Sequence, residues 1–171
     1  EGWKNEKEGL PSLRLANSVA LKHPLSVDTY IDQTLEKAKG ILIRLIGGVQ
    51  YWEYGLNQVY NLAQEKGIAL AVLPADGRED DRLDEYSTIP KSTLLRLKNL
   101  TDTGGSKAAA AALAQLAIAA GLYAAPIIGD KALPEVGCWL PEDGVVSEFS
   151  RHNKYQLICI IFYRSFLASE D

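Results

Sequence analysis

Apolar positions along this chain come in blocks, and the spacing inside each block assigns an element. Ile41, Leu42, Ile43, Leu45 and Ile46 form a run too short for an independent helix. Being continuous rather than alternating, the run predicts a parallel strand covered on both faces. Gly47 and Gly48 break it. From Tyr51 onward Leu56, Val59, Tyr60 and Ala63 recur at three- and four-residue intervals, one face of a helix. Gly67 stands at its C-cap with Lys66 in the last turn, and a second apolar strand, residues 68–73, follows at once. Strand, helix and strand in this order predict a βαβ unit in a parallel α/β sheet.

The flanking patterns are weaker. Residues 1–10 are polar and predict a loosely attached leader. Alternating Leu13, Leu15 and Val19 suggest a short strand. His23-Pro24 reads as a break, after which Ser26 or Asp28 caps a helix over residues 29–39 with Ile31, Leu35 and Ala38 inward. Downstream, Pro74-Ala75-Asp76-Gly77 is a turn. Pro90 opens a helix over residues 91–100 with Leu94, Leu95 and Leu97 inward. Ser106 caps an alanine-rich helix over residues 107–120. Gly121 and Pro126 interrupt the apolar stretch 108–128, which therefore reads as a buried helix rather than a membrane span. Ile127 and Ile128 belong to a short strand or loop, and residues 130–144 form a long irregular connection. Residues 157–163, LICIIFY, predict a strong buried strand. The expected fold is α/β: an open, mostly parallel sheet of about four or five strands with helices on both faces, a flavodoxin-like or Rossmann-like three-layer module. Its expected division is a leader (1–10), the module (11–154) and a strand at the boundary with a next domain (155–171).

At 171 residues, one such module has room for a real core. The net charge of −4 and the scattered Lys and Arg argue against a nucleic-acid-binding domain. Two cysteines, Cys138 and Cys159, and two histidines, His23 and His152, show no metal spacing and no disulfide framework, so a reducing compartment is the default. The chain begins at Glu1 and contains no methionine, which predicts a piece of a longer protein.

Candidate chemistry is sparse. Gly47-Gly48 lies where a strand hands over to a helix, the place where open parallel sheets bind ligands and where helix N–H groups meet anions. The turn matches neither the dinucleotide fingerprint nor a P-loop, and a tight turn needing small residues explains it equally. Tyr51, Trp52 and Tyr54 have the rings to stack on a planar ligand, or serve as core and interface. Arg44, the one charge in the first strand, marks either a binding cleft or an ion pair. The acidic residues Glu79, Asp80, Asp81, Asp84 and Glu85 read as a solvated helix start; they lack the calcium-loop pattern. No catalytic constellation and no metal site can be placed.

These residues also carry a resemblance. PSLRLANSVALKHPLSVDTYID (11–32), AKGILIRLIGGVQYWEYG (38–55), IALAVLPADGREDDRL (68–83) and the terminal IIFYR ending at Arg164 resemble the large subunit of cobaltochelatase, a family related to the large subunit of magnesium chelatase. The match runs over residues 11–165. It implies a parent protein that inserts cobalt into a corrin precursor, hydrogenobyrinic acid a,c-diamide; in the magnesium branch the reaction is magnesium insertion into protoporphyrin IX. It further implies AAA+ ATPase and adaptor subunits as partners, ATP and magnesium used by the complex, no cofactor in this module, no nucleic acid, no membrane span and a cytoplasmic setting. The signature Arg44, Gly47, Gly48, Tyr51, Trp52, Tyr54 and Gly55 carries over as candidate binding residues; no catalytic residue does. Against this stand an independent flavodoxin-like anion- or nucleotide-binding domain and a pure interaction surface.

Overall fold

A computed structural model describes residues 2–5, 7–127, 134, 136–140, 144–146, 159–163 and 167. Its centre is the predicted βαβ unit. Strand β1 (Gly40–Leu45) pairs in parallel with β2 (Ala69–Pro74), Gly40 opposite Ala69 through to Leu45 opposite Pro74. They follow α1 (Gly2–Asn5) and α2 (Pro24–Gln33), and the crossover helix is α3 (Glu53–Lys66). Leu56, Val59 and Ala63 on α3 are buried, as their spacing requires. Gly67 ends α3 in the left-handed region at φ 65°, its N–H donating to the Ala63 carbonyl.

β2 is buried along its whole length and divides the core in two. Leu70 and Val72 pack with Val27, Ile41, Leu45, Leu56 and Val59 on the α2 and α3 side. Ala71 and Leu73 pack with Leu94, Leu97, Ala112 and Leu116 on the other side, against α5 (Lys91–Thr103) and α6 (Gly105–Ala119), which follow the short helix α4 (Asp81–Asp84). Helices therefore cover both faces of the sheet, and the continuous aliphatic runs are explained.

The sheet is narrower than its pattern predicts. Among the described residues the parallel sheet has two strands, and β3 (Cys138–Leu140) and β4 (Gly144–Val146) form a separate antiparallel pair. The broad open sheet of four or five strands is not seen among the described residues. Beyond β2 the ladder is closed by side chains: the Leu70 N–H donates to Thr88 Oγ1 (2.8 Å) and the Val72 N–H to Ser87 Oγ (3.0 Å). The Thr88 N–H in turn donates to the Leu70 carbonyl at 2.9 Å. Hydroxyls thus take the places of a neighbouring strand on that edge.

Residues 11–17 are not a strand; Asn17 Oδ1 instead accepts from the Val19 N–H (3.0 Å) and caps a 3-10 turn, Ser18–Leu21. Residues 159–163, expected as buried strand, have no ladder partner, and Ile160 and Ile161 are 77% and 93% exposed. An apolar run becomes a strand only where a neighbouring edge accepts it. Ile127 lies in no strand, and Ile128 and residues 157–158 fall outside the described residues, as does most of the 130–144 connection.

Three boundaries differ from expectation. His23-Pro24 starts a helix: His23 Nδ1 accepts from the Leu25 N–H (3.2 Å) as N-cap, and Pro24 takes the first turn, where no N–H is needed. Leu95 is exposed, one residue round α5 from the buried Leu94. The polar leader is attached: α1 packs on α6, and Trp3 Nε1 donates to the Pro11 carbonyl at 2.8 Å. No helix among the described residues is long and apolar enough to cross a membrane.

A glycine and aromatic corner at the carboxyl end of the sheet

The candidate residues lie where β1 leaves the sheet and α3 begins. Gly47 (φ 94°) and Gly48 (φ 73°) both adopt conformations that side-chain-bearing residues avoid. They turn the chain into a 3-10 turn, Val49–Tyr51, from which Trp52 leads into α3. A side chain on Gly48 would meet Asp80 Oδ2 at 2.8 Å, so that carboxylate lies against the turn. Asp80 also caps α4, accepting from the Arg82 N–H at 3.1 Å. The acidic run is thus a helix start packed under the Gly-Gly turn. Among the described residues no group of three or more metal-ligating side chains converges.

Trp52 is buried, and its indole Nε1 donates to the Leu21 carbonyl at 2.7 Å, tying α3 to the turn before α2. Gly55 lies under the same indole: a Cβ there would overlap ring atoms Cε2, Cζ2 and Cδ2. Trp52 and Gly55 are therefore two halves of one packing unit. Tyr54 points outward, and its hydroxyl donates to both carboxylate oxygens of Asp28 on α2, at 2.8 and 3.1 Å. The hydrogen bond to Asp28 raises the Tyr54 phenol pKa above its ordinary value, with desolvation and the Asp28 charge acting in the same direction. Tyr51 is 44% exposed, with Lys22 Nζ 5.6 Å from its ring centroid.

Arg44 is engaged by α5. Its guanidinium Nη2 is 3.6 Å from Asp102 Oδ1 near the end of α5, and Lys98 Nζ holds the other oxygen at 3.1 Å. The charge in the strand is met by a structural ion pair.

The cavity beside the Gly-Gly turn measures about 290 Å3 and is lined by Gln50, Glu53, Arg82, Glu85 and Tyr86 among others. Glu53 occupies the first turn of α3. With Glu53, Glu85 and the neighbouring Asp80 carboxylate, the corner is an unfavourable place for a phosphate. One residue that sequence reasoning left out of the site, Asp28, is tied to it through Tyr54. Its signal was present in the HPLSVD segment, but a cross-helix hydrogen bond has no periodic signature.

No family model matches the chain. Among curated proteins it is 36% identical to the aerobic cobaltochelatase subunit CobN of a Sinorhizobium species over 96% of its own length, which is 14% of that protein. It is 40% identical to the subunit of the same name from Pseudomonas aeruginosa over 56% of the chain and 8% of the relative. The catalytic subunit of cobaltochelatase from Mycobacterium tuberculosis shares the fold, with a TM-score of 0.52 and 20% identity over 71% of this chain and 9% of that one. The chain thus spans about one seventh of the first relative, and over that span it is similar to the aerobic cobaltochelatase subunit CobN.

Proposed function

We propose that this chain is a non-catalytic scaffold module of the large subunit of an ATP-dependent cobaltochelatase. In this reading the whole protein works in the cytoplasm and inserts cobalt into hydrogenobyrinic acid a,c-diamide, with AAA+ ATPase and adaptor subunits hydrolysing magnesium-ATP. The 36% identity over 96% of the chain supports the assignment to the cobalt enzyme.

The observation that carries the scaffold role is how the signature residues are used. Trp52 covers Gly55 and bonds Leu21; Tyr54 bonds Asp28; Arg44 pairs with Asp102; Gly48 lies against Asp80. These side chains hold one another; the cavity beside the Gly-Gly turn measures about 290 Å3, and the larger cleft of about 780 Å3, which Arg44 and Trp52 also line, is lined chiefly by β1, α2, α6 and residues 10–16 rather than by the corner. What the corner supplies is a rigid rim bearing two exposed tyrosines, Tyr51 and Tyr54.

The test is cobalt insertion by the whole large subunit with its ATPase partners, comparing wild type with Tyr51→Ala and Trp52→Ala. A scaffold predicts that Tyr51→Ala leaves KM for the tetrapyrrole unchanged, and that Trp52→Ala lowers activity only as far as it lowers the folded fraction. A KM raised tenfold by Tyr51→Ala with folding intact would place the macrocycle on this rim instead. Absence of insertion by the wild-type complex, with magnesium insertion into protoporphyrin IX in its place, would assign the protein to the magnesium branch.

A further inference from the structure

The two edges of the parallel sheet are finished differently. The outer edge of β2 is closed by Ser87 and Thr88. The outer edge of β1 has no strand beside it among the described residues. The Lys39 carbonyl accepts from the Ala69 N–H and the Leu45 carbonyl from the Ala75 N–H, so the odd-numbered residues of this stretch face β2. By the alternation of a parallel ladder, Gly40, Leu42 and Arg44 direct their N–H and C=O groups the other way. Among the described residues those N–H groups have no backbone partner.

This edge is not bare surface. It forms one wall of a cleft of about 780 Å3. Residues 10–16 form the opposite wall, with Tyr30 and Leu35 from the α2 side and Leu113 and Leu116 from α6 also lining it. A row of strand N–H groups without a backbone partner among the described residues, set along a cleft, is shaped for an extended chain. Arg14, Lys37, Lys39 and Arg44 also line the cleft, Arg44 being held by Asp102.

We propose that this cleft is a strand slot, filled in the assembled protein by a further strand parallel to β1, contributed by polypeptide outside residues 1–171. The cleft is lined by aliphatic residues, Leu13, Leu42 and Leu113 among them, and also by Arg14, Lys37 and Lys39, so the incoming strand combines apolar with polar or acidic positions. The relative's length supports the source, since the chain matches only 14% of it. The chain's own run Cys159–Tyr163 has suitable apolar residues but is not the occupant. A tethered segment acts at millimolar effective concentration, and a fitting one would be seated, whereas Ile161 is 93% exposed. The inference is independent of the reaction that the whole protein performs.

The test is residue-resolved amide hydrogen exchange on the 171-residue chain and on the full-length subunit. In the chain alone, the Leu42 and Arg44 amides should exchange rapidly while Ile41, Ile43 and Leu45 are protected. In the full-length subunit, Leu42 and Arg44 should slow by about a hundredfold or more. Equal, rapid exchange in both proteins would overturn the proposal. So would protection in the short chain that is lost on deleting residues 157–163, which would make the chain's own segment the occupant. Protection that rises with the short chain's concentration would overturn it in favour of a second copy.

Discussion

Replacing Gly55 with alanine separates helix propensity from packing at one position. Gly55 lies in the first turns of α3, where alanine would ordinarily stabilise the helix by roughly 1 kcal/mol. The Trp52 ring occupies the space that the new methyl needs. Neither neighbour yields easily, because the indole is buried and held to the Leu21 carbonyl. Displacing the ring costs what truncating a buried tryptophan costs, about 3–5 kcal/mol. Less the propensity gain, Gly55→Ala should destabilise by about 2–4 kcal/mol, a fall in Tm on the order of 4–16 °C for a chain of this size. Urea unfolding followed by circular dichroism gives the value, and a double-mutant cycle gives its cause. In a Trp52→Ala background the space is vacant, and Gly55→Ala should become neutral or stabilising by roughly 1 kcal/mol. The packing argument fails if the single substitution leaves Tm unchanged or raises it, or if its cost persists without the indole.

Three further outcomes are expected. Ser87→Ala strips the partner from the wholly buried Val72 N–H and should cost about 1–3 kcal/mol in chemical denaturation; a loss near zero would mean that water reaches that edge. Burial, with the charge of Asp81 adding to it, raises the Asp84 carboxyl pKa, so the folded state carries a penalty wherever the group is ionised. That penalty is absent below the unfolded pKa and grows as pH rises through the folded one. Asp84→Asn should therefore raise Tm near neutral pH, with the gain vanishing in acid; a pH-independent change would contradict it. Asp28→Asn should lower the Tyr54 phenol pKa toward its ordinary value, read by NMR titration of labelled tyrosine; an unmoved midpoint would mean that the hydrogen bond does not form in solution.

Much of the fold is legible where periodicity and capping agree. The strand at 41–46, the α3 face and the Gly67 cap all follow from local chemistry, and so does the alanine helix. What escaped has physical reasons. Sheet width is a property of edges, and the hydroxyls of Ser87 and Thr88 that close β2 look like loop residues in a sequence. Cys159–Tyr163 has a strand's composition but no neighbouring edge to make it one. His23-Pro24 was read through the proline's restriction on its predecessor. An extended His23, at φ −78° and ψ 133°, satisfies that restriction and caps a helix as well. In the corner, the sequence named Gly47, Gly48, Tyr51, Trp52, Tyr54 and Gly55 as candidates. It did not reveal that Trp52 and Gly55 serve each other, because that contact depends on a ring folded back on its own helix.

The scaffold role is tested most directly by titrating hydrogenobyrinic acid a,c-diamide into the 171-residue chain and into the whole large subunit, with visible absorbance as the readout. The chain alone should give no saturable spectral shift, while the whole subunit binds with or without Tyr51→Ala and Tyr54→Ala. A saturable shift with the chain alone, lost in the Tyr51→Ala/Tyr54→Ala variant, would contradict the scaffold and make the rim part of the macrocycle site.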